Sequence, residues 1–166
     1  VPTDARDAVL ALALVGRAWP RAHAGLLART EAWTAALDAG LVLSERGFLH
    51  LDDAWEGAAR ELAGGATSGS TRDAAAALDA VYSGGAGDPW ALERAAELWL
   101  RAGEAESADA AHARALVLLG DTTARREIVS RWFEAVGDHG DAAAQLQLRA
   151  RGAERALEMG EADEAL

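Results

Sequence analysis

The sequence predicts a mainly α-helical fold with one small β-hairpin, and three observations support this prediction. Hydrophobic residues, chiefly alanine and leucine, make up 51% of the 166 positions, whereas aromatic residues make up only 5%. Alanine is the strongest helix former, because it loses no side-chain entropy in a helix. Glycine and proline recur at positions that suit helix ends and helix starts. Residues 41–51 have instead the composition of two short strands around a turn.

The charge and composition exclude several classes of function. The net charge is -11 and all 16 basic residues are arginine, so the surface repels nucleic acids and anionic membranes. The absence of cysteine excludes disulfides and thiolate metal sites. The apolar stretch 8–15 is too short to span a bilayer and follows no basic segment, which predicts a buried helix. We therefore expect a cytoplasmic protein with no membrane partner and no cofactor.

Three helices are predicted before the hairpin. The first covers residues 2–15 and stops near Gly16, because glycine readily adopts the left-handed conformation that ends a helix. Pro20 suits the first turn of the second helix, where its missing N–H costs nothing. Thr30 can cap the third helix, which covers residues 31–39.

A two-stranded hairpin follows these helices. Its predicted strands are residues 41–44 and 48–51, separated by a turn at residues 45–47. Three helices followed by a two-stranded wing is the element order of a winged helix. Residues 1–52 are therefore predicted to form a winged-helix-like domain.

Residues 53–87 are predicted to connect this domain to a second one. Asp53 and Glu56 have the spacing of a capping box and start a fourth helix. The glycine- and serine-rich stretch 64–71 is a loop by composition, and a further helix covers residues 72–83.

Residues 88–166 have the features of a helical repeat. Gly103 and Gly137 lie 34 residues apart, the period of a tetratricopeptide repeat, and each is predicted to end a helix. Between the Gly137 turn and Gly160 there is room for one long helix, or for two short helices broken at Gly152. Helical hairpins of this kind cannot bury their apolar faces alone and therefore stack into an array. The predicted helices before Gly137 cover residues 89–102, 104–119 and 122–136.

Several segments resemble a known family. Residues 3–16 and 33–43, together with Phe48-Leu-His50, resemble the winged-helix segment of bacterial STAND-class signalling ATPases, which include the large MalT-like and LuxR-type ATP-binding regulators. Residues 95–108 are similar to the first of the tetratricopeptide-like repeats that follow this segment in the family. Residues 137–160 also resemble the helical transcriptional-activator domain of AfsR-like regulators.

The resemblance implies a non-enzymatic regulatory and protein-interaction region of a larger STAND-type ATPase or transcriptional regulator. The chain begins with Val1 and ends in the opening of a helix, so we expect it to be a piece of such a protein. In the family the winged helix packs on the nucleotide-binding domain, and the repeats sense a partner or ligand. The resemblance also implies a nucleotide contact for His50, directed toward a domain absent from this chain. Residues 51–55 depart from the apolar and arginine-containing helix that usually follows this histidine.

Two motifs suggest a ligand but lack the necessary residues. Gly64 and Gly69 have the glycine spacing of a phosphate-binding P-loop, but Ser70 replaces its lysine and a helix, not a strand, precedes it. Residues 138–141 contain two aspartates and a histidine, but no second cluster stands at metal-ligand spacing. We predict a flexible loop for the first motif and an inter-helix turn, with no metal, for the second.

The histidines and the aromatic residues of the repeats favour structural and partner-binding roles over catalysis. The chain contains His23, His50, His112 and His139, and none forms an i, i+4 pair or joins a known catalytic pattern. His112 is predicted to be partly buried, with a structural role in helix packing. Trp132 and Phe133 are adjacent on a predicted helix and point to different faces. We expect one of them in the core and the other at a partner surface, which makes both candidate partner-binding residues.

Two alternative functions differ in their partner. The predicted third helix carries Glu31 and Asp38 and no basic residue, and residues 1–55 contain seven acids against five arginines. Direct readout of DNA requires arginine, asparagine or glutamine, and phosphate contacts require positive charge. A DNA-binding regulator is therefore disfavoured, and a nucleic-acid partner is not expected. The other alternative is a stand-alone tetratricopeptide-like adaptor with no ATPase attached.

Overall fold

The computed structural model describes residues 1–84, 87–120, 122–139 and 142–160. It is mainly helical, with a small three-stranded antiparallel sheet. The chain divides into two compact units, Val1–Ala77 and Leu78–Leu166, and this division lies inside the predicted connecting segment 53–87. The helices are α1 (Arg6–Val15), α2 (Thr30–Asp38), α3 (Glu56–Gly64), α4 (Ser68–Tyr82), α5 (Pro89–Arg101), α6 (Ala105–Leu118), α7 (Thr122–Asp138) and α8 (Ala142–Glu158). The strands are β1 (Trp19–Pro20), β2 (Val42–Glu45) and β3 (Phe48–Leu51).

Helix α1 forms the centre of the first unit. Its buried residues include Ala8, Leu12 and Val15, which recur at helical spacing and therefore share one face. This helix contacts α2, α3 and β3. Gly16 ends it in the left-handed conformation, with φ of 66°, and donates its N–H to the Leu12 carbonyl, as the sequence predicts.

The sheet has one more strand than predicted. Strand β3 lies between β1 and β2, and Leu49 pairs with Trp19 on one side and Ser44 on the other. The predicted second helix is a short 3-10 helix, Arg21–Leu26, and Pro20 lies just before it, extended with ψ of 124°, and not in its first turn. The buried Trp19 fixes this arrangement, because its indole Nε1 donates to the His23 carbonyl at 3.0 Å.

Hydroxyl and carboxyl side chains start two helical segments of the first unit at positions that differ from the prediction. Asp52, and not Asp53, accepts the capping hydrogen bond, from the Ala54 N–H at 2.9 Å. The predicted loop 64–71 is also too long, because α4 begins at Ser68. Thr67 precedes this helix, and its Oγ1 accepts the Ser70 N–H at 3.2 Å. A capping hydroxyl satisfies a helix N–H that would otherwise lack an acceptor, which explains the early start.

The second unit contains the helical hairpin of α5 and α6. Asp88 caps α5 by accepting the N–H groups of Trp90 and Ala91, and Pro89 occupies its first turn, where a missing N–H costs nothing. Gly103 has φ of 83° and lies in the short turn between the two helices. Ala95 and Ala108 are fully buried, and such small side chains allow two helices to approach closely.

Helices α7 and α8 differ from the prediction at one glycine. Helix α7 ends at Asp138, two residues later than predicted, so Gly137 lies in its last turn and not after it. A Cβ atom at Gly137 would lie 3.0 Å from Arg149 Nη2, so glycine leaves room for the arginine of the neighbouring helix. Of the two arrangements left open for the following segment, one long helix is present, and it contains Gly152. The predicted turn 138–141 lies partly outside the described residues.

Within the described residues, no helix is long and apolar enough to cross a membrane.

Candidate interaction surface on the last two helices

His50, the residue implied in a nucleotide contact, lies on β3 opposite Leu43 of β2. Its ring is half-buried, and its Nε2 lies 4.0 Å from Glu45 Oε2 on the other strand of the hairpin. Its Nδ1 lies 3.3 Å from the Leu51 carbonyl oxygen. The structure thus gives His50 contacts within the hairpin, and the nucleotide contact stays a prediction.

The first unit also contains a shallow groove of about 300 Å³ between α1, the segment before α2, and α4. Its lining includes the apolar side chains of Leu10, Leu14 and Leu27 and the acidic side chains of Asp7 and Asp73. This volume is at the lower limit of small-molecule sites and suits a single apolar side chain. Among the residues the structure describes, no cluster of histidine and acidic residues could hold a metal ion.

In the second unit, α5 and α7 share a polar contact around Arg131. Its guanidinium carbon lies 5.3 Å from the centre of the Trp90 ring, and its Nη1 lies 3.8 Å from Glu93 Oε2. Burial raises the pKa of Glu93 to about 7, because an ionised carboxylate is costly away from water. The positive charge of Arg131 opposes this rise, and the negative charge of Glu97 adds to it.

A buried contact joins α6, α7 and α8. The imidazole of His112 on α6 stacks on the indole of Trp132 on α7, with ring centroids 4.4 Å apart and an angle of 10° between the planes. His112 is fully buried, and burial lowers its pKa to about 3, assisted by the charge of Arg155. Gly152 of α8 lies directly against the indole, since a Cβ atom there would be 2.9 Å from Trp132 Nε1. Glycine at this position therefore permits the close approach of α7 and α8.

Asp109 links α6 to α8 through two arginines. Its Oδ2 accepts Arg155 Nη2 at 2.6 Å and Arg151 Nη1 at 3.2 Å. The Asp109 side chain is largely buried, so water screens these contacts little. Because the two arginines lie one turn apart on α8, this carboxylate fixes the rotation of that helix. It thereby decides which residues of α8 face outward.

The outward face of α8 carries an apolar stripe. Leu146 is 72% exposed and Leu157 is 56% exposed, and the exposed Ala150 and the half-buried Ala153 lie between them along the helix. The inward face carries Leu148, Gly152 and Ala156, all buried. Helix α8 therefore has two apolar faces, and its own unit buries only one of them. Such a face is typical of a surface that binds protein.

Trp132 and Phe133, the candidate partner-binding residues, lie beside this helix. Trp132 is only 2% exposed, which confirms the prediction that one of the pair is in the core. The expectation that the other is exposed is wrong, because Phe133 is half-buried and packs against the core cluster around Ile128. Phe133 also lies next to Gly152 of α8. A partner contact through either residue stays a prediction.

The sequence reasoning missed the stripe on α8, although a signal was present. Leu146, Ala150, Ala153 and Leu157 follow the spacing i, i+4, i+7 and i+11, which places them on one face of a helix. The buried set Leu148, Gly152 and Ala156 forms a second face, and glycine and alanine make it hard to recognise as the core side.

Comparison with known proteins gives no match to a family model, to a curated protein or to a solved structure.

Proposed function

We propose that this chain is a non-enzymatic regulatory and protein-interaction region of a larger bacterial signalling protein, of the STAND-type ATPase or transcriptional-regulator class. It acts by docking on a neighbouring domain and by binding a protein partner. The exposed apolar stripe of α8 is the observation that carries the docking role. Leu146 and Leu157 are the leucines of this stripe, and a protein partner that covers them would remove their apolar surface from water.

The first unit supports a winged-helix-like domain. Helices α1 and α2 precede the β2–β3 hairpin, and β1 adds a third strand beside β3. The hairpin turn contains Arg46 and Gly47, both with positive φ, which gives a tight reversal between the paired strands. In this proposal the hairpin carries His50 toward a nucleotide bound by the preceding domain.

The second unit supports a tetratricopeptide-like pair of helical hairpins. Helices α5 and α6 form one hairpin, and α7 and α8 form the other. Gly103 and Gly160 follow α5 and α8 with closely similar φ of 83° and 79°, so the local sequence repeat has a structural counterpart. Helical hairpins of this kind do not bury all their apolar faces alone, and the stripe on α8 is an apolar face that its own unit leaves exposed.

Charge favours a protein partner over DNA. Helix α2, the reading helix in a winged-helix arrangement, contains no basic residue and exposes Glu31. Negative charge here repels phosphates, and no side chain of the type that reads guanine or adenine stands on this helix.

The coding sequence upstream of Val1 tests the class of the protein. We expect a predicted strand, a GxxxxGK[ST] motif and a helix, which together form a nucleotide-binding P-loop. Its absence would overturn the STAND assignment and leave the stand-alone adaptor.

Calorimetric titration tests the docking role. The upstream domain, expressed separately and loaded with nucleotide, is expected to bind the chain, and His50→Ala is expected to weaken this binding. Arg60→Ala on α3 is a matched surface control with an exposed side chain. No heat of binding with the wild-type chain would contradict docking.

A further inference from the structure

Helix α8 is attached to its unit by few apolar side chains. The structure describes all 17 residues of this helix, and three of them are buried: Leu148, Gly152 and Ala156. Leu148 is the single large side chain among these three. Helix α5 buries six of its 13 residues, and three of these are leucines. Because burial of apolar surface is the main force that holds a helix in place, it stabilises the attachment of α8 much less than that of α5.

The hydrogen bonds that join α8 to α6 are ionic. Arg155 and Arg151 of α8 donate to Asp109 of α6, and Arg151 also donates to Glu106 at 3.0 Å. When the two helices separate, these charged groups regain their hydration, which offsets much of the attraction that is lost. The ion pairs therefore fix the position of the attached helix more than they prevent its detachment.

Several buried polar atoms between α8 and the rest of its unit have no hydrogen-bond partner among the described residues. They are Oδ1 of Asp109, Nε1 of Trp132, Nη1 of Arg155 and both ring nitrogens of His112. Gly152 lies directly against Trp132 Nε1, so the backbone of α8 covers this N–H. His112 stands one turn after Asp109 on the same side of α6 and stacks on the same indole.

These unpaired atoms make the attachment of α8 costly. A buried polar atom without a partner loses its hydrogen bonds to water and gains none in return. Detachment of α8 lets water reach the same atoms and removes this cost. Helix α8 thus combines little apolar burial with a polar interface that water can satisfy.

We propose that α8 is a detachable strap, which separates from α6 and α7 while α5, α6 and α7 stay packed together. Detachment uncovers the indole of Trp132 and the ring of Phe133, which lies next to Gly152. Segments with few buried apolar contacts open in this way without unfolding of the whole chain. The strap concerns the inward face of α8 and goes beyond the proposed function, which concerns the outward face.

The strap gives the chain two states that a partner can select. A partner that binds the attached α8 shifts the population toward the attached state, and one that binds the uncovered aromatic rings shifts it toward the detached state. The position of α8 therefore controls access to Trp132 and Phe133.

Thiol labelling of single buried cysteines tests this proposal, since the chain contains no cysteine. Ala156→Cys places a thiol on the inward face of α8, and Ala95→Cys is the matched variant on α5, because both alanines are fully buried. At pH 8, position 156 is expected to react about a hundredfold faster than position 95. Low urea concentrations are expected to change the rate at position 156 little, because local opening exposes little surface, and to raise the rate at position 95 steeply.

A second variant tests the cause of the detachment. His112→Leu, made together with Ala156→Cys, keeps a side chain of similar volume and removes both unpaired nitrogens. It is expected to slow labelling at position 156 about tenfold. His23→Leu is the matched control, because His23 is exposed in the first unit, and it is expected to leave this rate unchanged. Circular dichroism verifies that every variant keeps its helix content.

Two outcomes overturn the proposal. Equal labelling rates at positions 156 and 95, with the same dependence on urea, would show that α8 separates only when the whole chain unfolds. A His112→Leu variant that is labelled as fast as its parent would remove the unpaired atoms as the cause. Neither outcome affects the docking titration with the upstream domain, so the strap and the proposed function fail independently.

Discussion

Gly152 of α8 lies so close to the indole of Trp132 on α7 that a Cβ atom at this glycine would be 2.9 Å from Nε1 and 3.0 Å from Cδ1. The same indole stacks on His112 of α6, so three helices meet at one aromatic ring. This contact positions α8, and with it the outward stripe that carries the proposed function.

Substitution of Gly152 tests this contact. Gly152→Ala is expected to lower the free energy of unfolding by about 1–3 kcal/mol, because the added methyl group overpacks the space beside Trp132. Urea denaturation followed by circular dichroism measures the change. Gly57→Ala on α3 is the control: a Cβ atom there meets nothing within 4 Å, and the change is expected to stabilise by about 0.5–1 kcal/mol. Equal effects at the two positions would contradict the close packing.

The buried imidazole of His112 predicts a loss of stability in acid. Burial lowers its pKa from 6.5 to about 3, so between these values the unfolded chain binds a proton that the folded chain does not. The contribution of neutral His112 is therefore complete above pH 6.5 and falls by up to about 1.4 kcal/mol for each unit below it, until about pH 3.

The His112→Phe variant isolates this contribution. Phenylalanine keeps an aromatic ring against Trp132 and cannot titrate, so the variant is expected to lose stability less steeply than the wild type between pH 6.5 and 5. The measurement is the free energy of unfolding in urea at each pH. Parallel curves for the two proteins would show that His112 does not titrate on unfolding.

The buried Glu93 predicts a loss of stability at higher pH, the opposite of the dependence expected for His112. Its pKa rises from 4.5 to about 7 on folding, so the folded chain holds a proton that the unfolded chain releases. The contribution of Glu93 is complete below pH 4.5 and is lost as the pH rises to 7, by about 3 kcal/mol at most. Glu93→Gln is expected to gain stability relative to the wild type as the pH rises through this range. A constant difference between the two proteins from pH 4.5 to 8 would contradict the prediction.

Substitution of Asp109 tests how much its ion pairs with α8 contribute to the free energy of unfolding. Asp109→Asn keeps the shape but removes the charge that binds Arg151 and Arg155, and it is expected to cost about 1–3 kcal/mol, because the mostly buried Arg155 loses its carboxylate partner. Glu106→Gln is the matched control, since Glu106 also contacts Arg151 but is 78% exposed, and its removal is expected to change stability little. Chemical denaturation of both variants measures the difference.

Helix starts and ends were predictable from the sequence where one residue determines them. Gly16 and Gly103 act as predicted, because a positive φ at a helix end depends on local chemistry. The end of α7 lies one residue beyond Gly137, at Asp138. Pro20 pairs with Phe48 of β3, a contact distant in sequence, and the 3-10 helix begins only after it.

The candidate surface was only partly predictable from the sequence, because its exposure depends on contacts between distant residues. Adjacent positions on α7 correctly suggested that Trp132 or Phe133 is buried, but the depth of burial of Phe133 depends on the approach of α8. The stripe of α8 follows from helical spacing alone, yet its exposure depends on which face Asp109 and Trp132 hold inward. Those contacts join residues at least 20 positions apart, and a local pattern does not contain them.

The central claim is that the outward face of α8 binds protein, and calorimetric titration of a variant on that face tests it most directly. The Leu146→Glu, Leu157→Glu double variant replaces the two exposed leucines of α8, and Val117→Glu on the exposed surface of α6 is the matched control. The double variant is expected to bind the separately expressed upstream domain about tenfold or more weakly than the wild type, whereas Val117→Glu is expected to bind like the wild type. A double variant that binds as tightly as the wild type would contradict the claim.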